Sequence, residues 1–363
     1  MANRIHLLEE RLRRVETRTQ GILDAAVQHV ELQATTEVWW PHLVAFFGTE
    51  NAMFETVGID RDVFDDALAL TAETVQDRRG KLGALRTNRE KLLFLMIFMR
   101  KGIDVLELLV VNFIKTREHI VERAKKSAQL FYSNLVGGTV RFFGETVPEA
   151  PDAALIVDCT VCQIRRPKKP FDEAKVYFSG KHFVYGLKKE VCVNVRTGTA
   201  AIISKAHPSS VHDIVILRNH AAGINDLLSG KALLADLGYR GATRDIPTLV
   251  VCDDLEPRLR ARRVLIECFF GRLKLLWTVF SVKWRLGEEC FDVFFDIACA
   301  LTNLDILHRP LRGSDALFNE AVMKIILVEQ MRKVERQRRA NAADKERRMA
   351  RLSGEGPYEP FMN

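Results

Sequence analysis

The chain has 363 residues, 47% apolar and 28% charged, the balance of a soluble, intracellular globular protein long enough for two or three domains. A net charge of +7 and a pI near 9.0 favour a polyanionic partner. The opening MANRIHLLEERLRRV has no apolar core of the kind a secretory leader needs, and the longest apolar runs, around Leu92–Met99 and Leu108–Ile114, are too short to cross a bilayer, so no membrane partner is expected.

In chain order, Ile5, Leu8, Leu12, Val15, Thr19, Ile22 and Ala26 recur at alternating spacings of three and four. Residues 1–48 therefore read as an N-terminal amphipathic helix, either docked on its own protein or dimerising as a coiled coil, and Trp39-Trp40-Pro41 ends the unit. Residues 49–150 read as a helical region. Within it, Leu92–Arg100 is an apolar helix stopped by Gly102, Asp104 can cap a short helix over Val105–Val111, and Thr116 can cap a third over Arg117–Lys126. The last two, joined by about four residues, have helix-turn-helix spacing over 88–128. On that reading Arg117, Glu118 and His119 reach base edges, while Arg123, Lys125 and Lys126 reach phosphates; an ordinary helical hairpin fits the same pattern. Gly137-Gly138 opens a looser stretch through Pro148 and Pro151, where a domain boundary is expected.

Beyond Pro151 the period shortens. Ala153–Val157 is a buried-strand run ending in Asp158, followed by the basic loop Arg165, Arg166, Pro167, Lys168, Lys169. Cys159 and Cys162 form one C-x-x-C. No second pair has zinc-ribbon spacing, residues three apart on a strand face opposite ways, and the odd total of seven cysteines suits buried reduced thiols. His182–Val195 and Thr199–Ala206, joined across Arg196-Thr197-Gly198, predict a β-hairpin. A helix is expected from about Val211, capped by Ser209 or Ser210, to Leu228. Ala232–Ala235 is a second short strand ending in an acid, Asp236. Thr248–Val251 precedes Asp254 and Pro257, an entry to a long helix expected to stay apolar through Leu307. On that helix Arg263, Glu267 and Lys274 lie within roughly 40° of one another around the axis. Residues 151–313 thus predict an α/β fold with a mixed sheet and flanking helices. Residues 314–363 form a basic helical tail. Between Glu329 and Leu352 nine Lys or Arg face four Asp or Glu, which suits a solvated helix or a phosphate-binding and nuclear-import segment.

Two strand-end carboxylates facing a third on a helix can hold hard divalent cations, since Mg²⁺ prefers oxygen ligands and keeps waters and phosphate oxygens in its shell. Two ions roughly 4 Å apart would clamp the attacking and leaving oxygens of an in-line phosphoryl transfer. The cations Arg263 and Lys274 would bind the DNA backbone laid over them.

The segments IVDCT (156–160), SGKHFVYGLKKEVCVN (179–194), SSVHDIVILR (209–218), LLADLGYRG (233–241) and RVLIECFFGRLK (263–274) resemble DDE transposases of the PIF/Harbinger group, which are related to bacterial insertion-sequence transposases. The resemblance spans about 90–310, is weaker across the helix-turn-helix, and departs from the usual pattern at Cys159, Ala235 and Arg260. It implies an RNase H-like catalytic domain. Asp158, Asp236 and Glu267 become the catalytic and metal-binding triad, with His212 and Asp213 as a supporting pair. The implied cofactor is Mg²⁺ or Mn²⁺, two ions. The implied DNA-binding set is Arg263, Lys274, Arg165, Arg166, Lys168, Lys169, Thr116, Arg117, Arg123 and Lys126. The implied activity is cutting and joining at terminal inverted repeats, by a homo-oligomer, with or without a separate Myb-like partner, in the nucleus if the source is eukaryotic. A domesticated, non-cutting DNA-binding protein on the same scaffold is the alternative.

Overall fold

The computed structural model describes residues 43–44, 47–71, 87–110, 116–148, 150–251 and 257–353. The heptad seam of 5–26, Trp39-Trp40-Pro41 and Asp254 lie outside them. The helical region opens with α1 (Glu50–Val57), capped by Thr49 and closed by Gly58 at φ 66, then α2 (Arg61–Leu70), capped by Asp60. α3 (Asn88–Val110) bends at Gly102, whose φ of 81 no side-chain-bearing residue adopts cheaply. α4 (Arg117–Thr139) starts at the expected cap, Thr116, whose hydroxyl accepts from His119 N.

α4 runs thirteen residues past the Lys126 end expected for it. Ile120, Ala124, Phe131 and Leu135 continue one apolar stripe that packs on the core, and this sustains the helix. Gly137-Gly138, expected to open a loop, sits in its last turn. A Cβ at Gly138 would stand 3.3 Å from Leu70, so glycine there allows α2 and α4 to approach closely.

The sheet is built on β1 (Ala153–Gln163). A one-turn helix, α5 (Phe171–Lys175), leads to the hairpin of β2 (Phe178–Ser179) and β3 (Val184–Asn194). β4 (Ala200–Ile203) and β5 (His207–Pro208) pair antiparallel with β3. Two short helices follow, α6 (Asp213–Arg218) and α7 (Ala221–Leu228), where one was expected; the break at Asn219-His220 turns His220 toward the sheet. β6 (Ala232–Ala235) and β7 (Leu249–Val251) complete the order β2-β3-β1-β6-β7, with β1, β6 and β7 parallel and β3 antiparallel to β1.

α8 (Pro257–Leu276) ends earlier than its apolar sequence suggested. A turn containing Trp284 intervenes before α9 (Phe291–His308), because Trp284 N donates to Gln163 O at 2.8 Å and ties this segment to the end of β1. α10 (Ala316–Ser353) packs through Val322, Met323 and Ile326, then extends as an exposed cationic helix.

Strand alternation divides the buried side chains between two faces. Ile156, Val191, Val193 and Leu234 join the core formed with α8 and α9; Leu155, Val157, Cys192, Leu233 and Ala235 join a smaller core under α6 and α7. Both faces are covered, as suits the near-continuous apolar reading of β1. The larger core runs unbroken from Leu43 through α4 to Ile326, so it crosses the composition change near residue 150. Among the described residues no helix is long and apolar enough to cross a membrane.

Candidate active site

Two aspartates come together because of strand register. Ile156 of β1 pairs with Leu234 of β6 in parallel, and both side chains enter the larger core. Two residues further along each chain, alternation returns the side chain to the same face, which places Asp158 midway along β1 and Asp236 just past the end of β6, beneath α8. The strand expected to stop at Asp158 runs on to Gln163, because Cys159–Gln163 keep pairing with Glu190–Gly186 of β3. Asp236 caps the turn that follows β6, accepting from Gly238 N at 2.9 Å. Asp158 accepts from Cys159 N at 2.7 Å.

Asp158 is largely buried, and its pKa is pushed up to about 6, first by burial and then by the negative charges of Asp236 and Asp213; the Cys159 N–H and Arg263 oppose the rise. A half-desolvated carboxylate facing two others is a place where a cation gains more than it would in water.

Asp213 arrives from a different direction. Lys188 on β3 donates from Nζ to Asp213 Oδ1 and to Val211 O, both at 2.7 Å, which fixes the start of α6. The free oxygen, Oδ2, lies 3.7 Å from the point where a Gly238 Cβ would stand, and Asp236 Oδ1 lies 3.0 Å from the same point. Gly238 is therefore the floor between two carboxylates. His212 is exposed and forms no side-chain cap.

Glu267 reaches this group through Arg263. One turn apart on α8, they pair at 2.9 Å, and the same guanidinium lies 3.9 Å from Asp158 Oδ2. Glu267 is half exposed, at 51% for its side chain. Lys274, on the same stripe of α8, donates instead to Val161 O of β1 at 3.1 Å.

Arg165, Arg166, Lys168 and Lys169 form an exposed loop after β1. Arg166 lies over the Tyr185 ring and Lys169 over the Tyr177 ring, each at 5.9 Å, so the loop runs along the β2–β3 hairpin. The residues of the expected helix-turn-helix lie elsewhere. Thr116 is the cap of α4, Arg117 pairs with Asp104 and Glu107 of α3, Lys126 pairs with Glu122, and Arg123 is half-buried on α4.

Behind the acids is a network that the sequence reading passed over. Glu190 on β3 is buried and meets His220 Nε2 at 2.8 Å; Cys159 Sγ lies 3.9 Å from Glu190 and 3.4 Å from the Tyr239 hydroxyl. Burial pushes the Cys159 thiol and the Tyr239 phenol up, so both are neutral. The next residue, Lys189, turns to the other face and is wholly buried between Asp292 at 2.7 Å and Asp296 at 2.8 Å, with Tyr132 donating to Asp296. The signal was available: Lys188-Lys189-Glu190 puts three consecutive charges inside an apolar strand, and each needs a buried partner. The C-x-x-C cysteines are free and face opposite ways, Cys162 into the larger core and Cys159 toward Glu190.

Among the described residues no three His, Cys, Asp or Glu side chains converge closely enough to hold a metal ion as they stand. The donor set nevertheless suits a hard cation: all oxygen, with the Asp158 pKa raised first by burial and then by neighbouring carboxylates whose charge a cation would offset, and Arg263 lying where positive charge is called for. A groove of about 1440 Å³ between α2, α4 and α10, lined by Arg141, Lys333 and Arg336 among others, contains none of these acids.

Comparison with curated proteins finds no match, nor does comparison with solved structures. Residues 157–303, which carry Asp158, Lys188, Asp213, Asp236 and Glu267 and exclude both the N-terminal helices and α10, match the family model described as DDE superfamily endonuclease.

Proposed function

We propose that this protein is a DNA transposase of the PIF/Harbinger group, which cuts and joins DNA at the ends of its element by metal-dependent phosphoryl transfer. The observation that carries the reading is the placement of Asp158 within β1 and Asp236 at the end of the adjacent parallel strand β6, on the face where α8 presents Arg263 and Glu267. Asp158, Asp236 and Glu267 would hold Mg²⁺ or Mn²⁺. The metal would supply Lewis-acid stabilisation of the phosphate and a nucleophile activated at neutral pH. The chain's own residues prepare the ground. Gly238 leaves room between carboxylates, and Lys188 holds Asp213 in place. Arg263 holds the charge balance until a phosphate competes for its guanidinium. The exposed loop of Arg165, Arg166, Lys168 and Lys169, and Lys274 beside β1, provide backbone contacts for duplex DNA. Terminal inverted repeats and target DNA are the substrates, a homo-oligomer is the working form, and the nucleus is its place in a eukaryotic cell.

The test is a nicking assay with Mg²⁺ on DNA bearing the element's ends. Asp236→Asn is expected to bind that DNA like the wild type and to lose nicking by at least 100-fold, on the order of 3 kcal/mol of transition-state stabilisation. Nicking by the variant at the wild-type rate would remove the triad assignment. A domesticated DNA-binding scaffold has one observation on its side, the pairing of Glu267 with Arg263, which leaves the third acid engaged. Intact DNA after incubation of the wild type with Mg²⁺ or Mn²⁺ would favour that reading.

A further inference from the structure

The β2–β3 hairpin turns through Gly180, Lys181, His182 and Phe183. The turn is well made: Phe183 N donates to Ser179 O at 2.8 Å and His182 N to Ser179 Oγ at 3.3 Å. Yet its left-handed position is filled by Phe183, at φ 55, a conformation that bulky L residues adopt only at a cost. The glycine in the same turn is not used for it, since Gly180 stands in open space at an ordinary φ. The result is a phenyl ring held out at the tip of a paired ribbon, 81% exposed. Single exposed apolar residues are common on proteins. One held in a strained backbone, at a defined tip and among cations, points to use.

The surroundings identify what would meet it. Lys181 precedes it, and the loop carrying Arg165, Arg166, Lys168 and Lys169 lies along the same hairpin through Tyr185 and Tyr177. The strand that leaves the turn, β3, carries Lys188, whose Nζ donates to Asp213 Oδ1 at 2.7 Å, so the hairpin runs out from the acidic cluster. The hairpin is also tied to the approach to α6, since Ser209 N donates to Gly186 O and Ser210 N to Val176 O. A flat apolar ring amid lysines and arginines, beside a site proposed to act on phosphodiesters, matches an unstacked base flanked by phosphates.

We propose that Phe183 is a wedge whose ring stacks on a base displaced from the duplex where DNA crosses the acidic site. The inference rests on the proposed function for its substrate but makes its own claim about DNA shape. Cutting requires the backbone to bend into a cleft, and a displaced base relieves the pairing that resists the bend.

The experiment uses the full chain and a duplex copied from the sequence flanking the coding segment, with 2-aminopurine at successive positions. Bound by the uncut Asp236→Asn form, one position is expected to brighten as its base leaves the stack. Adding Phe183→Gly should abolish the rise, and Phe183→Tyr should keep it. Glycine suits φ 55 better than phenylalanine, so misfolding does not explain a loss. In the otherwise wild-type chain, Phe183→Gly should nick the paired duplex roughly tenfold more slowly, and a mismatch at the brightened position should restore the rate. Binding without a rise at any position overturns the proposal, as does a rise and a rate that Phe183→Gly leaves unchanged. So does loss of a dimer in Phe183→Gly with the fluorescence intact, which would make the ring a protein contact. A Phe183-dependent rise in a chain that never nicks DNA would uphold the wedge and refute the proposed catalysis.

Discussion

Asp158 offers the sharpest quantitative test. Its carboxyl moves from an ordinary 3.8 to about 6 in the fold, so each pKa unit costs about 1.4 kcal/mol when the group must ionise inside the protein. The sign follows from the direction. A raised carboxyl pKa contributes stability that is present below the unfolded value and is lost as pH rises through the folded one. At pH 8 the wild type therefore carries about 3 kcal/mol of strain at this residue, and at pH 5 about half of that. Asp158→Asn removes the charge and keeps an oxygen to accept from Cys159 N. The variant should be more stable than the wild type by up to about 3 kcal/mol at pH 8, with the gain roughly halved at pH 5. Urea unfolding followed by circular dichroism at the two pH values measures it, with equal m-values required for the comparison. Saturating Mg²⁺ should stabilise the wild type and leave the variant unmoved, because only the ionised carboxylate gains from the cation. An Asn variant less stable than the wild type at pH 8, or a difference that does not change with pH, would refute the account of a desolvated, repelled carboxylate.

Three further outcomes are expected. Lys189→Met leaves Asp292 and Asp296 facing each other without their shared cation and should cost roughly 3–5 kcal/mol in urea unfolding, whereas adding Asp296→Leu should recover part of it. Gly238→Ala places a methyl 3.0 Å from Asp236 Oδ1, so nicking should fall about tenfold while DNA binding measured by fluorescence anisotropy stays within a factor of about two. His308 pairs with Asp66 at 2.6 Å, which raises the imidazole pKa; its contribution is full below the unfolded value and lost as pH rises through the raised one. Thermal melts should therefore separate wild type from Asp66→Asn more at pH 6 than at pH 9.

The strands were legible as apolar runs, Ala153–Val157 and Ala232–Ala235, and parallel pairing then sets Asp158 and Asp236 side by side. An acid marks the end of a strand only at Asp236; β1 runs past Asp158 to Gln163 because its outer half still pairs with β3, a partner distant in sequence. Helix starts at Thr116 and Pro257 were legible from capping chemistry. Helix ends were not, because they depend on partners distant in sequence. α4 persists because its stripe meets the core, and α8 stops because Trp284 must reach the end of β1. The same limit applies around the site. Periodicity marks Glu267 and Arg263 as near neighbours on one stripe, yet that Arg263 also approaches Asp158 depends on how α8 crosses the sheet. Lys188 and Asp213 are 25 residues apart, and only the fold joins them.

Arg263 has a consequence for the order of events. One guanidinium serves two carboxylates, so any phosphate that draws it away uncovers both together. The negative charge exposed at that moment is larger than either acid alone would provide, and the affinity for a divalent cation rises with it. On the proposed function, nucleic acid and metal would then be thermodynamically linked: each should bind more tightly once the other is in place, by the same factor in either direction. A site built this way would stay electrically quiet until DNA lay across it.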